Sequence, residues 1–315
     1  MASQDVQRVP RRHPEYGAGL TPAHPSCMEG NAVSRSPPQG AAAVHLVYYI
    51  RAMPEMKKYW FAFKGNELLV EKHPDGTFSI PFSPEPPTSP VSPGAVHNIT
   101  PIGGSEVKAY YIHDEAIDTG RYVLCGLRAS YYKLPAEMYL KAGKCSEILY
   151  WDASNAYCGS CGGKMRMKTD ISKQCSVCGK EIWPQLSTAV IVLVHKGEDE
   201  ILLVHANNFR GNFYGLVAGF VETGETLEQA VEREVREETG LSIKNIRYYA
   251  SQPWPYPCGL MVGFYAEYAG GTIRLQRSEL ASGGWYRRDS LPTLPEKLSI
   301  ARRLIDHFLG VSEEI

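Results

Sequence analysis

The sequence predicts an α+β fold in which two β-rich domains flank a short segment that binds a metal ion through cysteines. Aromatic and β-branched runs of strand length dominate residues 45–140 and start again at Ser187. Two Cys-x2-Cys pairs lie between these regions, and an acidic helical pattern interrupts the second one. The predicted division is a disordered tail at 1–44, an α+β domain at 45–152, a ribbon at 153–184 and a further domain at 185–312.

Composition excludes several classes of protein. Of the 315 residues, 43% are hydrophobic, and 33 basic residues nearly balance 34 acidic ones. This balance argues against indiscriminate binding to nucleic acids or membranes. No run reaches the roughly 18 apolar residues of a membrane helix, and no signal peptide is apparent. We therefore expect a cytoplasmic protein with no membrane partner, and no internal repeat is apparent.

The first domain is predicted to be mainly β. A Pro/Ser-rich loop at 82–94 separates its strands, and a helical segment at 136–152 leads into the cysteine pairs. The predicted strands are 45–50, 59–63, 67–70, 107–112 and 121–125.

The two cysteine pairs have the spacing of a structural zinc site. Cys158 and Cys161 form one pair, Cys175 and Cys178 the other, and 13 residues separate them. Two such pairs supply the four soft ligands of a Zn²⁺ tetrahedron and leave no open position for chemistry. The alternative is four reduced or redox-active thiols.

The second domain contains the acidic helix. Its predicted elements are strands at 187–194, 200–206, 246–252 and 260–268 and helices at 226–239 and 297–309, with Gly240 ending the first helix.

Three glutamates of the first of these helices share a face. Glu234 and Glu238 are four residues apart, and Glu237 lies beside them. Like charges so close together destabilise a helix unless cations neutralise them, and Mg²⁺ binds a few carboxylates together with substrate phosphates. The alternative is an ordinary solvated charged face.

The surrounding spacing resembles the Nudix box, Gly-x5-Glu-x7-Arg-Glu-apolar-x-Glu-Glu-x-Gly-apolar. The resemblance implies a Nudix α/β/α sandwich with a mixed sheet and hydrolysis of a nucleoside diphosphate linked to another group. It also implies that Arg233 and Glu225 brace the loop against the helix. The matching residues are Gly219, Glu225, Arg233, Glu234, Val235, Glu237, Glu238, Gly240 and Leu241.

The same resemblance assigns catalytic roles. Glu234 and Glu238 would hold Mg²⁺ or Mn²⁺, together with the carbonyl of Ala218 and with Glu279. Glu237 would complete the metal shell or activate the attacking water. Bound metal ions would neutralise the developing charge and lower the pKa of that water.

A proline-rich aromatic string follows the acidic helix. Residues 251–257 read SQPWPYP, which predicts a stiff extended loop presenting flat rings to a base or nicotinamide. The alternative is a rigid structural loop. The string resembles the SQPWPFP motif of the NADH pyrophosphatase branch of the Nudix superfamily, which also carries a zinc ribbon and a β-rich N-terminal domain.

That resemblance implies hydrolysis of NADH to reduced nicotinamide mononucleotide and AMP. NAD⁺ is implied as an alternative substrate, NAD-cap removal from RNA as a further activity, and a homodimer as the assembly. The implied substrate contacts are Trp183, Phe220, Gln252, Pro253, Trp254, Pro255, Tyr256, Pro257, Cys258, Gly259, Arg128, Asp170 and Ala301.

Two departures from the branch concern specificity. Gly259 follows the proline string where a serine is common, and Ser282 stands where a glutamate is common. Two alternatives therefore stay open: a Nudix hydrolase for another dinucleotide or nucleotide sugar, and an inactive zinc-ribbon module that binds nucleotide or RNA.

Overall fold

The computed structural model describes residues 56–113 and 117–311. The predicted tail at 1–44 and the predicted strand at 45–50 lie outside the described residues. Among the described residues, no helix has the length and apolarity needed to span a bilayer.

The first sheet belongs to the N-terminal domain and is mixed. Its path is β3-β2-β1-β6-β5, with β4 added to β1 and β7 added to β2; β1 and β6 run parallel. The strands are β1 Lys58–Lys64, β2 Glu67–Lys72, β3 Phe78–Ser79, β4 Phe82–Ser83, β5 His97–Ile102, β6 Ser105–Tyr111 and β7 Tyr122–Gly126.

Helix α1, Ala136–Ser154, covers one face of this sheet. Phe61, Phe63 and Leu149 are buried in the core between them. Burying such side chains contributes roughly 1.5–3 kcal/mol each, which is the main stabilising term for this domain. The predicted strands between 59 and 125 and the predicted helix are confirmed.

A three-stranded sheet forms the cysteine-bearing ribbon. Its strands are β8 Met165–Thr169, β9 Ser172–Cys175 and β10 Glu181–Ile182.

A buried polar link joins the ribbon to the N-terminal domain. Lys173 on β9 is 4% exposed, and its Nζ lies 2.6 Å from Oδ1 of Asp152 on α1. The same Nζ donates to the carbonyls of Asp152 and Asn155. Nε2 of His97 on β5 lies 3.2 Å from Oδ2 of Asp152. Three elements therefore share one carboxylate, which fixes the ribbon on the first sheet.

The third sheet belongs to the C-terminal domain. Its path is β14-β15-β11-β12-β16, with β13 added to β11; β11 and β15 run parallel. The strands are β11 Ser187–Lys196, β12 Glu200–Ala206, β13 Val217–Phe220, β14 Leu241–Trp254, β15 Gly259–Gly271 and β16 Leu280–Arg287.

Two helices cover opposite faces of this sheet. Helix α2, Leu227–Thr239, packs Val231 and Val235 on one face, and helix α3, Ile300–Leu309, packs Leu304 and Ile305 on the other. β11 is buried on both faces, as its continuous apolar sequence predicts. The result is the α/β/α sandwich with a mixed sheet that the resemblance to the Nudix box implies.

Two boundaries differ from the sequence-based expectation. The last helix begins at Ile300 rather than at 297, because the Ser299 side chain accepts from the Arg302 N–H and caps the helix there. Residues 251–254 belong to β14, so only part of the proline string is a loop. Pro253 is tolerated because β14 is an edge strand.

The first and third sheets share one topology. The hairpin β1–β2 corresponds to β11–β12, and the hairpin β5–β6 corresponds to β14–β15. Both domains carry a central parallel pair, a short antiparallel strand on it, and a last strand on the first hairpin. Between β4 and β5, where all residues are described, a 3₁₀ turn at Pro93–Ala95 replaces the helix α2 of the other domain.

We expect Asp152→Asn to weaken the ribbon attachment. His97 and Lys173 lower the pKa of Asp152 to about 2. Its stabilisation is therefore complete above the ordinary value near 4 and is lost as the pH falls through about 2. The free energy of unfolding of the variant should be about 2 kcal/mol lower at pH 7. The variant should also lack the loss of stability that protonation of Asp152 causes as the pH falls. Urea unfolding at pH 7 and circular dichroism between pH 5 and 1.5 measure both.

Asp199→Asn is the control, because Asp199 is exposed. An acid transition of Asp152→Asn identical to that of the unmodified protein would contradict the role of this link.

Candidate active site

The acidic helix α2 is defined by local signals at both ends. The Thr226 side chain accepts from the Gln229 N–H, and the Gln229 side chain accepts from the Thr226 N–H. Gly240 ends the helix in the left-handed conformation, with φ of 73°. Residues at its two ends therefore define where this helix begins and ends, and hence which face carries the glutamates.

Two of the three glutamates are buried. Glu234 is 9% exposed and Glu238 is 4% exposed, whereas Glu237 is exposed. A buried carboxylate needs a charged or hydrogen-bonding partner, so a purely solvated charged face does not describe this helix.

Arg233 holds this acidic face to the preceding loop. Its Nε and one terminal nitrogen donate to both carboxylate oxygens of Glu225, at 2.6 and 2.9 Å. Its other terminal nitrogen donates to Glu234 at 2.7 Å and to Glu237 at 3.2 Å. A further bond reaches the carbonyl of Phe220. One guanidinium thus spans loop and helix, as the resemblance to the Nudix box implies. Its bidentate bonding lowers the pKa of Glu225.

Gly219 makes room for the carboxylate of Glu234. A Cβ at this position would overlap Cδ and Oε1 of Glu234. The backbone of β13 therefore passes directly beneath the carboxylate. Space, rather than backbone conformation, makes glycine necessary here.

The second buried glutamate faces a small cavity of about 390 Å³. Ala218 and Glu279, two further predicted metal ligands, line the same cavity as Glu238. Burial raises the pKa of Glu238 to about 8, and the negative charges of Glu234 and Glu279 act in the same direction. Burial also raises the pKa of Glu234, which Arg233 opposes.

This donor set fits a hard divalent cation. Carboxylate and carbonyl oxygens are the ligands that Mg²⁺ takes in proteins. A divalent cation beside Glu234 and Glu238 would favour their ionised forms, which burial disfavours. Glu234, Glu238, Glu279 and the carbonyl of Ala218 would hold such an ion.

A larger chamber of about 770 Å³ adjoins this cavity. Arg128, Trp254 and Ala301, three predicted substrate contacts, line it together with Ala218. The Arg128 guanidinium lies 5.4 Å from the centre of the Trp254 ring, within the range of a cation–π interaction. The structure therefore brings these contacts together beside the acidic cluster. We call this space the ring chamber.

Sequence reasoning missed one wall of the ring chamber. Asn208, Phe209 and Phe213, from the loop between β12 and β13, line it. The signal was present as two aromatic residues in a Gly-punctuated stretch, but no spacing rule ties such a stretch to a particular site.

The proline string divides between two roles. Trp254 faces the ring chamber, whereas the Tyr256 hydroxyl lies 2.9 Å from the Tyr139 hydroxyl on α1, and Pro255 packs against Gly143. The amide of Gln252 is bonded at both ends to the start of α3, accepting from Ile300 N–H and donating to the Leu298 carbonyl. The predicted substrate role of Gln252, Tyr256 and Pro255 stays a prediction.

Several predicted contacts lie elsewhere in this chain. Trp183, Pro253 and Cys258 line a separate cavity of about 870 Å³ between α1, the ribbon and the third sheet. Asp170 lies at a turn of the ribbon and accepts a bond from Asn98. Phe220 is exposed at the end of β13, Pro257 is exposed in the turn, and Gly259 pairs with Ser187 at the start of β15.

The four ribbon cysteines converge. Their Sγ atoms all lie within 4.8 Å of one another. Backbone N–H groups of Ser160 and Val177 point at Cys158 and Cys175 sulfurs. This tetrad of soft ligands fits a zinc ion, so the metal-binding interpretation of the two pairs is supported.

Two family profiles match the chain. The NUDIX domain profile matches residues 185–308, and the profile of the NADH pyrophosphatase-like rudimentary NUDIX domain matches residues 57–151. The second match agrees with the topology that the two sheets share.

Three curated relatives that the chain matches carry the name NAD-capped RNA hydrolase NudC. The protein of Chromobacterium violaceum is 35% identical over 259 residues, 81% of this chain and 92% of the relative. That of Pectobacterium carotovorum is 48% identical over 170 residues, 54% of this chain and 65% of the relative. The protein of Pseudomonas aeruginosa is 42% identical over 198 residues, which are 62% of this chain and 71% of the relative. The alignment thus spans just under two thirds of the Pectobacterium relative.

Gly219→Ala should displace the Glu234 carboxylate and leave the fold intact, because the group that must move is the end of a flexible side chain. We expect Mn²⁺ affinity to fall by about ten- to a hundredfold. Electron paramagnetic resonance titration of free Mn²⁺ measures it, with thermal melting as the check on folding. The control is Gly270→Ala, where a Cβ meets no atom within 4 Å. Its Mn²⁺ affinity and its melting temperature should stay unchanged. Unaltered Mn²⁺ affinity in Gly219→Ala would contradict the assignment of Glu234.

Proposed function

The chain belongs to the NADH pyrophosphatase branch of the Nudix superfamily, and on that premise we propose that it hydrolyses the diphosphate of NADH and NAD⁺. The products are reduced or oxidised nicotinamide mononucleotide and AMP. One observation carries the proposal: buried carboxylates of Glu234 and Glu238 meet Glu279 beside a chamber lined by Trp254 and Arg128.

The proposal divides the substrate between the two adjoining spaces. The diphosphate lies at the acidic cluster, where bound divalent cations would offset the repulsion between its negative charge and the carboxylates. A nucleoside lies in the ring chamber, where Trp254 offers an aromatic face. Asn208, Phe209, Leu216 and Ala218 line both spaces, so one linked molecule can occupy them together.

Mg²⁺ or Mn²⁺ held at this site would supply Lewis-acid stabilisation of the phosphate charge and would lower the pKa of the attacking water. Side chains and one backbone carbonyl of this chain would bind the cations, orient the carboxylates and accept the proton. Glu234, Glu238, Glu279 and the Ala218 carbonyl would hold the cations, and Arg233 orients Glu234 and Glu237. Water adds to one phosphorus, the bridging P–O bond breaks, and the other phosphate leaves with the bridging oxygen. The exposed carboxylate of Glu237 takes the proton from water and releases it to solvent.

Three further assignments, a structural zinc ion, a second substrate and a homodimer, are based on the resemblance to the same Nudix branch. We propose that Zn²⁺ is held by the four ribbon cysteines and stabilises that segment without taking part in the chemistry. The name of the relatives supports NAD-capped RNA as a second substrate. The exposed apolar side chains around the cavity that holds Trp183 support a homodimer.

Glu238→Gln should abolish hydrolysis while the protein stays folded, because the change removes a metal ligand and one of several crowded negative charges. Several kcal/mol of lost charge stabilisation correspond to about a thousandfold lower rate. The assay incubates purified protein with Mg²⁺ and separates products chromatographically. Substrates tested in parallel are NADH, NAD⁺, ADP-ribose and NAD-capped RNA.

The matched control is Glu232→Gln, an exposed glutamate on the same helix, which should keep the original rate. Unchanged NADH hydrolysis by Glu238→Gln would overturn the metal assignment. Preference for ADP-ribose or another dinucleotide, with NADH left intact, would overturn the substrate assignment.

A further inference from the structure

The loop between β12 and β13 is rigidly anchored on both sides. Asn207 anchors the start of the loop through three hydrogen bonds. Its N–H donates to the Glu279 carbonyl at 2.7 Å, and its side-chain amide donates to the carbonyls of Arg277 and Ser278. At its end, Gly215 exchanges two backbone hydrogen bonds with Val204. The loop is therefore tied at its start to the turn that carries Glu279, just before β16, and at its end to β12.

The loop presents two stacked phenylalanines. The rings of Phe209 and Phe213 have centres 4.5 Å apart and an angle of 18° between their planes. His205 packs edge-on against Phe209, and its Nδ1 lies 2.8 Å from the Phe213 carbonyl oxygen. A Cβ at Gly215 would come within 3.2 Å of the Phe209 ring. Phe209 is thus held in one place by its neighbours.

Its position is the boundary between the two spaces of the site. Phe209 lines the small cavity together with Glu238 and Glu279, and also lines the ring chamber together with Arg128 and Trp254. A nucleoside attached to a diphosphate at the acidic cluster passes this ring as it enters the chamber.

We propose that Phe209, backed by Phe213, is a specificity-determining wall that stacks on the heteroaromatic ring of the substrate. The inference rests on the proposed function and adds a residue that neither the box nor the proline string contains. Half-buried aromatic rings of this kind lose exposed surface when a flat ring covers them, and offset stacking adds to that gain. The preformed Phe209–Phe213 stack keeps the ordering cost of binding small.

The test compares three substitutions of Phe209 at pH 8, where histidine is neutral. Phe209→Ala removes the ring, Phe209→Leu keeps apolar volume without a flat face, and Phe209→His keeps a flat ring. We expect KM for NADH to rise about tenfold for alanine and leucine and to stay within about threefold for histidine. Because an apolar ring neither transfers a proton nor stabilises charge at the reacting phosphorus, kcat should change by less than about twofold.

A parallel measurement with ADP-ribose identifies the ring, because that substrate lacks nicotinamide. An equal rise in KM assigns adenine to the chamber, and no rise assigns nicotinamide. Tyr248→Leu, an exposed aromatic position on β14 outside the chamber, is the control and should leave KM unchanged.

Two results would overturn the inference. One is a KM for Phe209→Ala within twofold of the original, and the other is rescue by leucine but not by histidine, which would indicate apolar packing alone. Failure of the unmodified protein to cleave NADH would instead refute the proposed function. Calorimetric binding of AMP and reduced nicotinamide mononucleotide to the same variants then tests Phe209 without catalysis.

Discussion

The arrangement depends on one electrostatic constraint: several carboxylates lie close together on and beside helix α2, and one guanidinium serves three of them. Arg233 binds Glu225 through two nitrogens and reaches Glu234 and Glu237 through the third. It does not reach Glu238, whose buried carboxylate has a raised pKa. Glu238 needs a further positive charge before it ionises, since burial of unpaired charge is strongly unfavourable, and this makes the cluster a candidate for divalent cations.

The fold uses one topology twice, and only one copy carries the acidic helix. In the N-terminal copy a proline-rich segment with a short 3₁₀ turn stands between β4 and β5. That copy nevertheless contributes to the site, because Arg128 lines the ring chamber and Tyr139 bonds to Tyr256 of the proline string. The degenerate domain thus acts as a wall and a support for the other one.

Local signals made much of this predictable from sequence. The acidic helix was predicted within one residue, because its charge spacing and Gly240 both act within a few residues of the chain. The four cysteines were predicted to converge for the same reason, and they do. The Arg233–Glu225 brace was expected from the box and is present.

Contacts between segments that are distant along the chain were harder to predict from the sequence. SQPWPYP was predicted as one stacking loop, yet Gln252 is bonded to α3 and Tyr256 to α1, while Trp254 alone lines the ring chamber. Which face each residue presents depends on the register of edge strand β14 and on packing of α1, and neither is encoded locally. The shared topology of the two sheets was also hidden, because it resides in strand pairing rather than in residue identity.

The most direct measurement is anomalous diffraction from crystals soaked with Mn²⁺. The account predicts a manganese peak about 2.1 Å from carboxylate oxygens of Glu234 and Glu238, on the side that faces Ala218 and Glu279. Manganese found only at other carboxylates, with the Glu234–Glu238 pair bare at saturating concentration, would contradict it.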